Sequence, residues 1–218
     1  MAFGGQLINL MAALLLLIAF AMLSQRRIQS LIHLFAWQGV VLAVNCVIVA
    51  HATGQAHLYY SAVVTLALKG AAIPLILHWL IRRLNVQWDV ETLINIPATM
   101  LVGIVLVVFA FNLALPISQL AGTITRSTLG IAIAIVLLSF LMMLTRRKAV
   151  PQVIGFLAME NGLFFAATSA TYGMQMVVEL GIALDVLIGM LIVGIFFFQV
   201  RGAFDSLDLR HMEKLKED

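Results

Sequence analysis

Charge is what this chain has least of. Of its 218 residues, 11% are charged and 63% are hydrophobic. A soluble domain carries about 25% charged and about 45–50% apolar residues, so this composition implies a membrane protein. Cysteine is nearly missing as well. Cys46 stands alone, which excludes an intrachain disulfide and a cysteine-ligated iron–sulfur cluster. The sequence has no Gly-rich phosphate loop, no His-Glu-x-x-His pair and no Gly-x-Ser-x-Gly elbow. It therefore shows no redox or hydrolytic centre of its own, and no metal or cofactor is expected; in an oxidoreductase, another subunit would hold the metal. The start of the chain lacks a basic region, and no Ala-x-Ala site follows the first apolar run. That run is expected to be a retained span rather than a signal peptide.

What is present is apolar sequence in long blocks. A helix needs about 20 apolar residues to cross a bilayer, and seven stretches qualify: 5–24, 28–50, 58–81, 94–113, 123–144, 149–170 and 176–198. Pro116, Gly122 and Arg126 break the pattern between the fourth and fifth. The net charge of +3 would point to nucleic acid in a soluble protein. Here the basic residues cluster at the edges of apolar blocks, which is an orientation signal. Arg26 and Arg27 follow the first block, Arg82 and Arg83 the third, and Arg146, Arg147 and Lys148 the fifth. Arg201, Arg210, Lys214 and Lys216 follow the seventh. The turns at 51–57, 114–122 and 171–175 carry no Lys or Arg, and Arg126 is the exception at a loop edge. The expectation is an all-α polytopic protein of seven transmembrane helices in the cytoplasmic membrane, N-terminus outside, with 201–218 as a cytoplasmic tail.

An internal repeat organises these spans. Ile28-Gln-Ser-Leu-Ile-His-Leu-Phe-Ala-Trp-Gln-Gly39 lies without a gap over Pro151-Gln-Val-Ile-Gly-Phe-Leu-Ala-Met-Glu-Asn-Gly162, each after a paired-Arg motif. Further on, Leu66-Ala-Leu-Lys69 lies over Ile182-Ala-Leu-Asp185. The expected organisation is one transmembrane domain, 1–200, made of a first three-helix unit (1–92), a connecting span (93–122) and a second three-helix unit (123–200). In this alignment Trp37 stands where the second unit has Glu160, and Lys69 where it has Asp185.

Lys69, Glu160, Glu179 and Asp185 are charged residues inside the apolar blocks. An acidic residue near the bilayer centre costs about 2.5–3.5 kcal/mol on insertion scales, so such residues call for an explanation. At a rise of about 1.5 Å per residue, Lys69, Glu160 and Asp185 fall at one level near the midplane. Glu179 lies a few residues inside the outer edge, where it opens the path outward or snorkels. Gly181, Asp185 and Gly189 recur at four-residue spacing, a small face for a neighbouring helix. Gly162 and Asn161 give Glu160 room and a polar neighbour. Pro74 cannot donate to the carbonyl of Gly70, so a kink is expected one turn from Lys69. Two readings stay open for these groups: a proton path, or a static ion pair that fixes packing. Proton relay asks for carboxylates that hold a proton when desolvated and release it when a cation or water arrives. His33 and His78, near the cytoplasmic edge, are candidates for passing protons inward or for interfacial packing. His51 and His57 suit no metal motif. Trp37, Tyr59, Tyr60, Trp79 and Trp88 read as interface anchors and packing.

At these residues the chain resembles the E component of hydrogenase-4, a membrane subunit of group 4 [NiFe] hydrogenase and formate hydrogenlyase complexes. The matching elements are Ala67-Leu-Lys69 with Pro74-Leu-Ile, Leu157-Ala-Met-Glu-Asn-Gly162, Val178-Glu-Leu-Gly-Ile-Ala-Leu-Asp185 and the tail Asp205-Ser-Leu-Asp-Leu. The last three spans are also similar to the K subunit of respiratory complex I and the C subunit of multisubunit cation/proton antiporters. In that wider family one embedded Glu lies on the second helix and one on the third. Glu160 matches the first by its place after a basic turn. Asp185 is the choice for the second, with Glu179 as competitor. The acids lie closer together here, and an Asp stands in place of Glu. The resemblance implies a non-catalytic subunit of an oxidoreductase complex, set between antiporter-like membrane subunits and a quinone-chamber-like membrane subunit. Peripheral [NiFe] hydrogenase and iron–sulfur subunits would lie below. It further implies that Lys69, Glu160 and Asp185 continue a buried line of charge for proton translocation. The rivals are an assembly or anchoring subunit of the same complex, a subunit of a cation/proton antiporter, and a stand-alone transporter.

Overall fold

The apolar blocks become helices because no water in a bilayer can pair a bare backbone amide or carbonyl. The computed structural model describes residues 2–83, 90, 92–121 and 126–170, and the single positions 181, 183, 184, 186, 187, 189 and 190. Within these, α1 is Ala2–Ser24, α2 Ile28–Thr53, α3 His57–Thr65 and α4 Ile73–Arg83; α5 is Ile96–Ala121, α6 Arg126–Thr145 and α7 Ala149–Ala170. A π-helical stretch, Leu66–Ala72, joins α3 to α4, so that the three make one continuous span. Six helices among the described residues are long and apolar enough to cross a membrane: Gly4–Ser24, Ile28–Thr53, His57–Arg82, Ile96–Pro116, Ser127–Thr145 and Ala149–Ser169. They coincide within a few residues with the first six apolar stretches. The expected seventh, 176–198, lies outside the described residues apart from the single positions, which are helical. The expected tail lies outside them altogether.

One boundary moves. The fourth span was expected to end at 113, yet α5 runs through Pro116 to Ala121. Pro116 removes one backbone donor near the end of the helix, where a lost bond disturbs few residues after it. At the same end of the bundle, α2 stops where Gly54 takes φ +69° and returns its N–H to the Ala50 carbonyl. That left-handed turn is open to Gly at no steric cost.

The helices pack as two linked sets. α6 lies against α5 and α7, α1 against α2 and α6, and α2 against α7 and the π-helical stretch. Phe35, Leu42, Leu15, Ile135, Leu157 and Phe165 fill the interior. Leu101, Val105 and Val108 of α5 face outward, as an apolar solvent permits. At the opposite end, Val90 and Leu93 lace two turns together. Val90 donates to the Arg26 carbonyl and Leu93 to the Thr145 carbonyl, both at 2.8 Å. Arg146 lies beneath them, 1% exposed, and its guanidinium donates to the Leu23 carbonyl at 2.7 Å. It thereby takes up an orphan acceptor at the end of α1. Burial lowers the Arg146 pKa from the ordinary arginine value. The sequence marked this arginine only as part of a basic cluster; the structure makes it a tie between α1 and α6.

Candidate functional site

The site begins with a backbone irregularity. From Leu66 to Ala72 the helix widens to a π-helix, and Ile73 donates its N–H to the carbonyl of Leu68, five residues back. Pro74 follows at once. It has no N–H for the Gly70 carbonyl, and its ring crowds the turn before it. The expected kink thus takes the form of a widened turn, with Lys69 at its centre. Such turns occur often at functional sites.

α2 crosses this turn at Gly39. A Cβ there would stand 2.8 Å from the Lys69 carbonyl carbon and 3.0 Å from the Gly70 nitrogen. Only a residue without a side chain lets the two backbones meet so closely. The stem of Lys69 is thus held against α2, and the whole residue is 0% exposed.

Lys69 forms an ion pair with Glu160 of α7, which is 6% exposed. The ammonium also lies 5.1 Å from the centre of the Phe164 ring, one turn along α7 from Glu160. That distance allows a cation–π attraction. Beside the pair, Asn161 donates to the Gln38 side-chain carbonyl at 3.1 Å, and both residues are buried. Positions 38 and 161 are equated by the internal repeat, so the repeat's own equivalents meet between α2 and α7. The neighbouring equivalents part company: Trp37 is exposed where Glu160 is buried.

The structure brings together two of the sequence-predicted residues, Lys69 and Glu160, and places each near the middle of its span. Asp185 and Glu179 lie outside the described residues. Gly181 is described. A Cβ on it would meet the Phe164 ring at 2.5 Å and stand 3.8 Å from Glu160 Oε1, so the last apolar stretch approaches α7 closely at that glycine. At Gly189, among the described residues, nothing lies within 4 Å of the Cβ position. His33 is exposed on α2 and His78 is half-buried on α4.

The residues beside Glu160 make contacts of their own. The Cβ position of Gly162 meets Ile135 and Val136 at 3.0 and 3.1 Å, so the room it gives lets α6 approach α7. Asn161 donates to Gln38. One residue apart on a helix is about 100° around it, which turns adjacent side chains to different neighbours.

Sequence reasoning passed over Gln38, Gly39, Phe164, Asn45, Ser61 and Thr65. The last three are fully buried polar residues on α2 and α3. The signal available for them was spacing. Ser61, Thr65 and Lys69 repeat every four residues, and Gln38 and Asn45 are seven apart, so each set shares a helix face. Among the described residues, no group of three or more His, Cys, Asp or Glu is placed to hold a metal.

Comparison with known proteins gives likeness along the whole chain. The sequence is 29% identical over 216 residues to the uncharacterized protein Rv0085 of Mycobacterium tuberculosis, covering 97% of this chain and 96% of that one. It is 22% identical to hydrogenase-4 component E of Escherichia coli strain K12, covering 98% of this chain and 99% of the relative. The same identity and coverage hold for hydrogenase-4 component E of Shigella flexneri. No protein-family model and no solved structure matches the chain.

Proposed function

We propose that this chain is a membrane subunit of an energy-converting hydrogenase-type complex in the cytoplasmic membrane. Its work is to carry protons, or the charge movement that drives them, through the bilayer interior. Six apolar helices and full-length similarity to hydrogenase-4 component E support the membrane-subunit reading. The observation that carries the proton reading is the Lys69–Glu160 pair, enclosed at the midplane beside a widened helical turn. A buried charge pair is weak evidence of stability, since apolar residues of equal size often serve packing as well. Inside a membrane such groups more often mark an ion or proton route.

In this reading Lys69 and Glu160 hold one charge of each sign. A proton arriving at the carboxylate frees the ammonium to act on the next group. Asp185, about nine residues into the seventh apolar stretch, is that next group, with Glu179 as the alternative. Its proposed neighbours are antiporter-like and quinone-chamber-like membrane proteins, and the redox centres belong to a peripheral arm of [NiFe] hydrogenase and iron–sulfur subunits as in formate hydrogenlyase. The repeat makes the bundle a duplicated three-helix unit joined by α5. The meeting of Gln38 with Asn161 supports this, as do the contacts of α1 with α6 and of α2 with α7.

The test is Glu160→Gln, alone and with Asp185→Asn, in native membranes, measuring complex assembly on a native gel and protons moved per electron pair. Assembly with lost proton movement is the expected result. Intact assembly with undiminished movement refutes the reading. Loss of the complex itself would favour the anchoring role.

A further inference from the structure

We propose that Asn45, Ser61 and Thr65 form a water-binding branch of the bundle interior that connects the Lys69–Glu160 pair to the membrane face carrying the Gly54 turn. The proposal rests on the proton-carrying reading above and adds a route to it.

Four threonine hydroxyls in this structure share one arrangement. Thr53, Thr99, Thr145 and Thr168 each donate to the carbonyl four residues back, at 2.8–3.2 Å. This is the usual resting place of Ser and Thr on a helix. Ser61 and Thr65 depart from it. Both are 1% exposed, and neither hydroxyl makes a hydrogen bond to protein among the described residues. Asn45 is 0% exposed, and both ends of its amide are likewise unpartnered. If these groups served as glue between helices, they would be bonded to one another or to backbone.

Their placement makes a file. Ser61, Thr65 and Lys69 lie on one face of the third span, four residues apart. α2 and α3 run antiparallel from the Gly54 turn, and Gly39 is level with Lys69 and Gly70. Six residues along α2 from Gly39, Asn45 is therefore level with about residue 63, between Ser61 and Thr65. Four side-chain atoms that can donate or accept thus gather within about 12 Å above the Lys69 ammonium. A buried water needs two to four polar partners in a space large enough to hold it, and these residues supply them. The proton balance is that of a hopping chain. One proton enters at Lys69, one leaves at the Gly54 face, and no group between them changes its net protonation.

The experiment uses the full chain in its native membrane complex with Cys46→Ala. Ser61→Cys and Thr65→Cys are treated with a membrane-impermeant thiol reagent added on the Gly54 side. Thiols react as thiolates, which need water, so both should react at least about tenfold faster than Ile135→Cys, buried among apolar residues on α6. In parallel, Asn45→Leu and Thr65→Val should lower proton movement about tenfold by interrupting the chain, while Thr65→Ser preserves it. Labelling no faster than at Ile135→Cys overturns the branch, even if an apolar variant fails to assemble. Full proton movement in Asn45→Leu and Thr65→Val also overturns it. If Lys69→Met then stops movement, the relay stands without this branch. If Lys69→Met and Glu160→Gln both move protons at the native rate, the underlying reading falls with it.

Discussion

At the scale of single residues, the site is defined by what each group would lose without its partner. Lys69 and Glu160 are both buried, and removal of one takes from the other a charge partner inside the bundle. Breaking such a pair from one side costs about 3–5 kcal/mol, whereas replacing both members by apolar groups is often neutral. Lys69→Met should therefore destabilise the detergent-solubilised full chain, and Lys69→Met with Glu160→Leu should recover most of the loss. Thermal unfolding of the four proteins of that cycle reads the coupling directly. Additive effects would mean that the pair is not formed. Asn45, Ser61 and Thr65 obey the same logic with smaller stakes. An unpartnered buried polar group costs about 1–3 kcal/mol, and Ser61 and Thr65 lie on the helix face that leads to Lys69. The residue scale is also where the sequence was least legible. Hydropathy shows a polar residue in an apolar block but not whether its side chain finds a partner. Lys69 and Glu160 could be singled out because charge in a membrane is rare; Gln38, Asn45 and Thr65 are common enough to pass as packing.

The element that matters is the third span, and its shape comes from two residues that contribute little side chain. Gly39 lets α2 lie on the Lys69 backbone. Because the obstacle to a Cβ is backbone, Gly39→Ala forces a shift of the helix pair. It should cost about 1–3 kcal/mol, as overpacking does. Gly5→Ala on α1, where nothing among the described residues lies within 4 Å, should cost nothing. Denaturation midpoints of the two variants make the comparison. Pro74 was legible in the sequence as a disturbance, but its form was not. A missing N–H can produce a bend or a widened turn, and the choice depends on the helix packed alongside. Pro74→Ala restores the donor, and the π-helical stretch should contract to α-helix. That turns Lys69 by about one residue, roughly 100°, away from Glu160. In the Pro74→Ala background, Lys69→Met should then cost little more than an exposed substitution. A full penalty there would show that Gly39, rather than Pro74, sets the turn.

For the molecule as a whole, hydropathy was enough to place six helices, because a bilayer demands about 20 apolar residues from each crossing and leaves little freedom at the ends. It could not show how the crossings are laced. Arg146 reads in the sequence as one more positive charge at a membrane edge, and in the structure it is buried and bonded to Leu23. The two roles are compatible. Val90 and Leu93 tie the turns at Arg26 and Thr145, so these basic turns lie at one end of the bundle and the Gly54 turn at the other. If Lys and Arg keep to the cytoplasmic side, the Gly54 turn is expected outside. In a Cys46→Ala background, Gly54→Cys should then react with an impermeant thiol reagent in right-side-out vesicles and be protected in inverted ones. Arg147→Cys, at an exposed position, should show the opposite pattern. Reversal of both would turn the protein over in the membrane. Under the proposed relay it would also reverse the direction of proton movement, because the polar file of Asn45, Ser61 and Thr65 runs from Lys69 and Glu160 toward the Gly54 end.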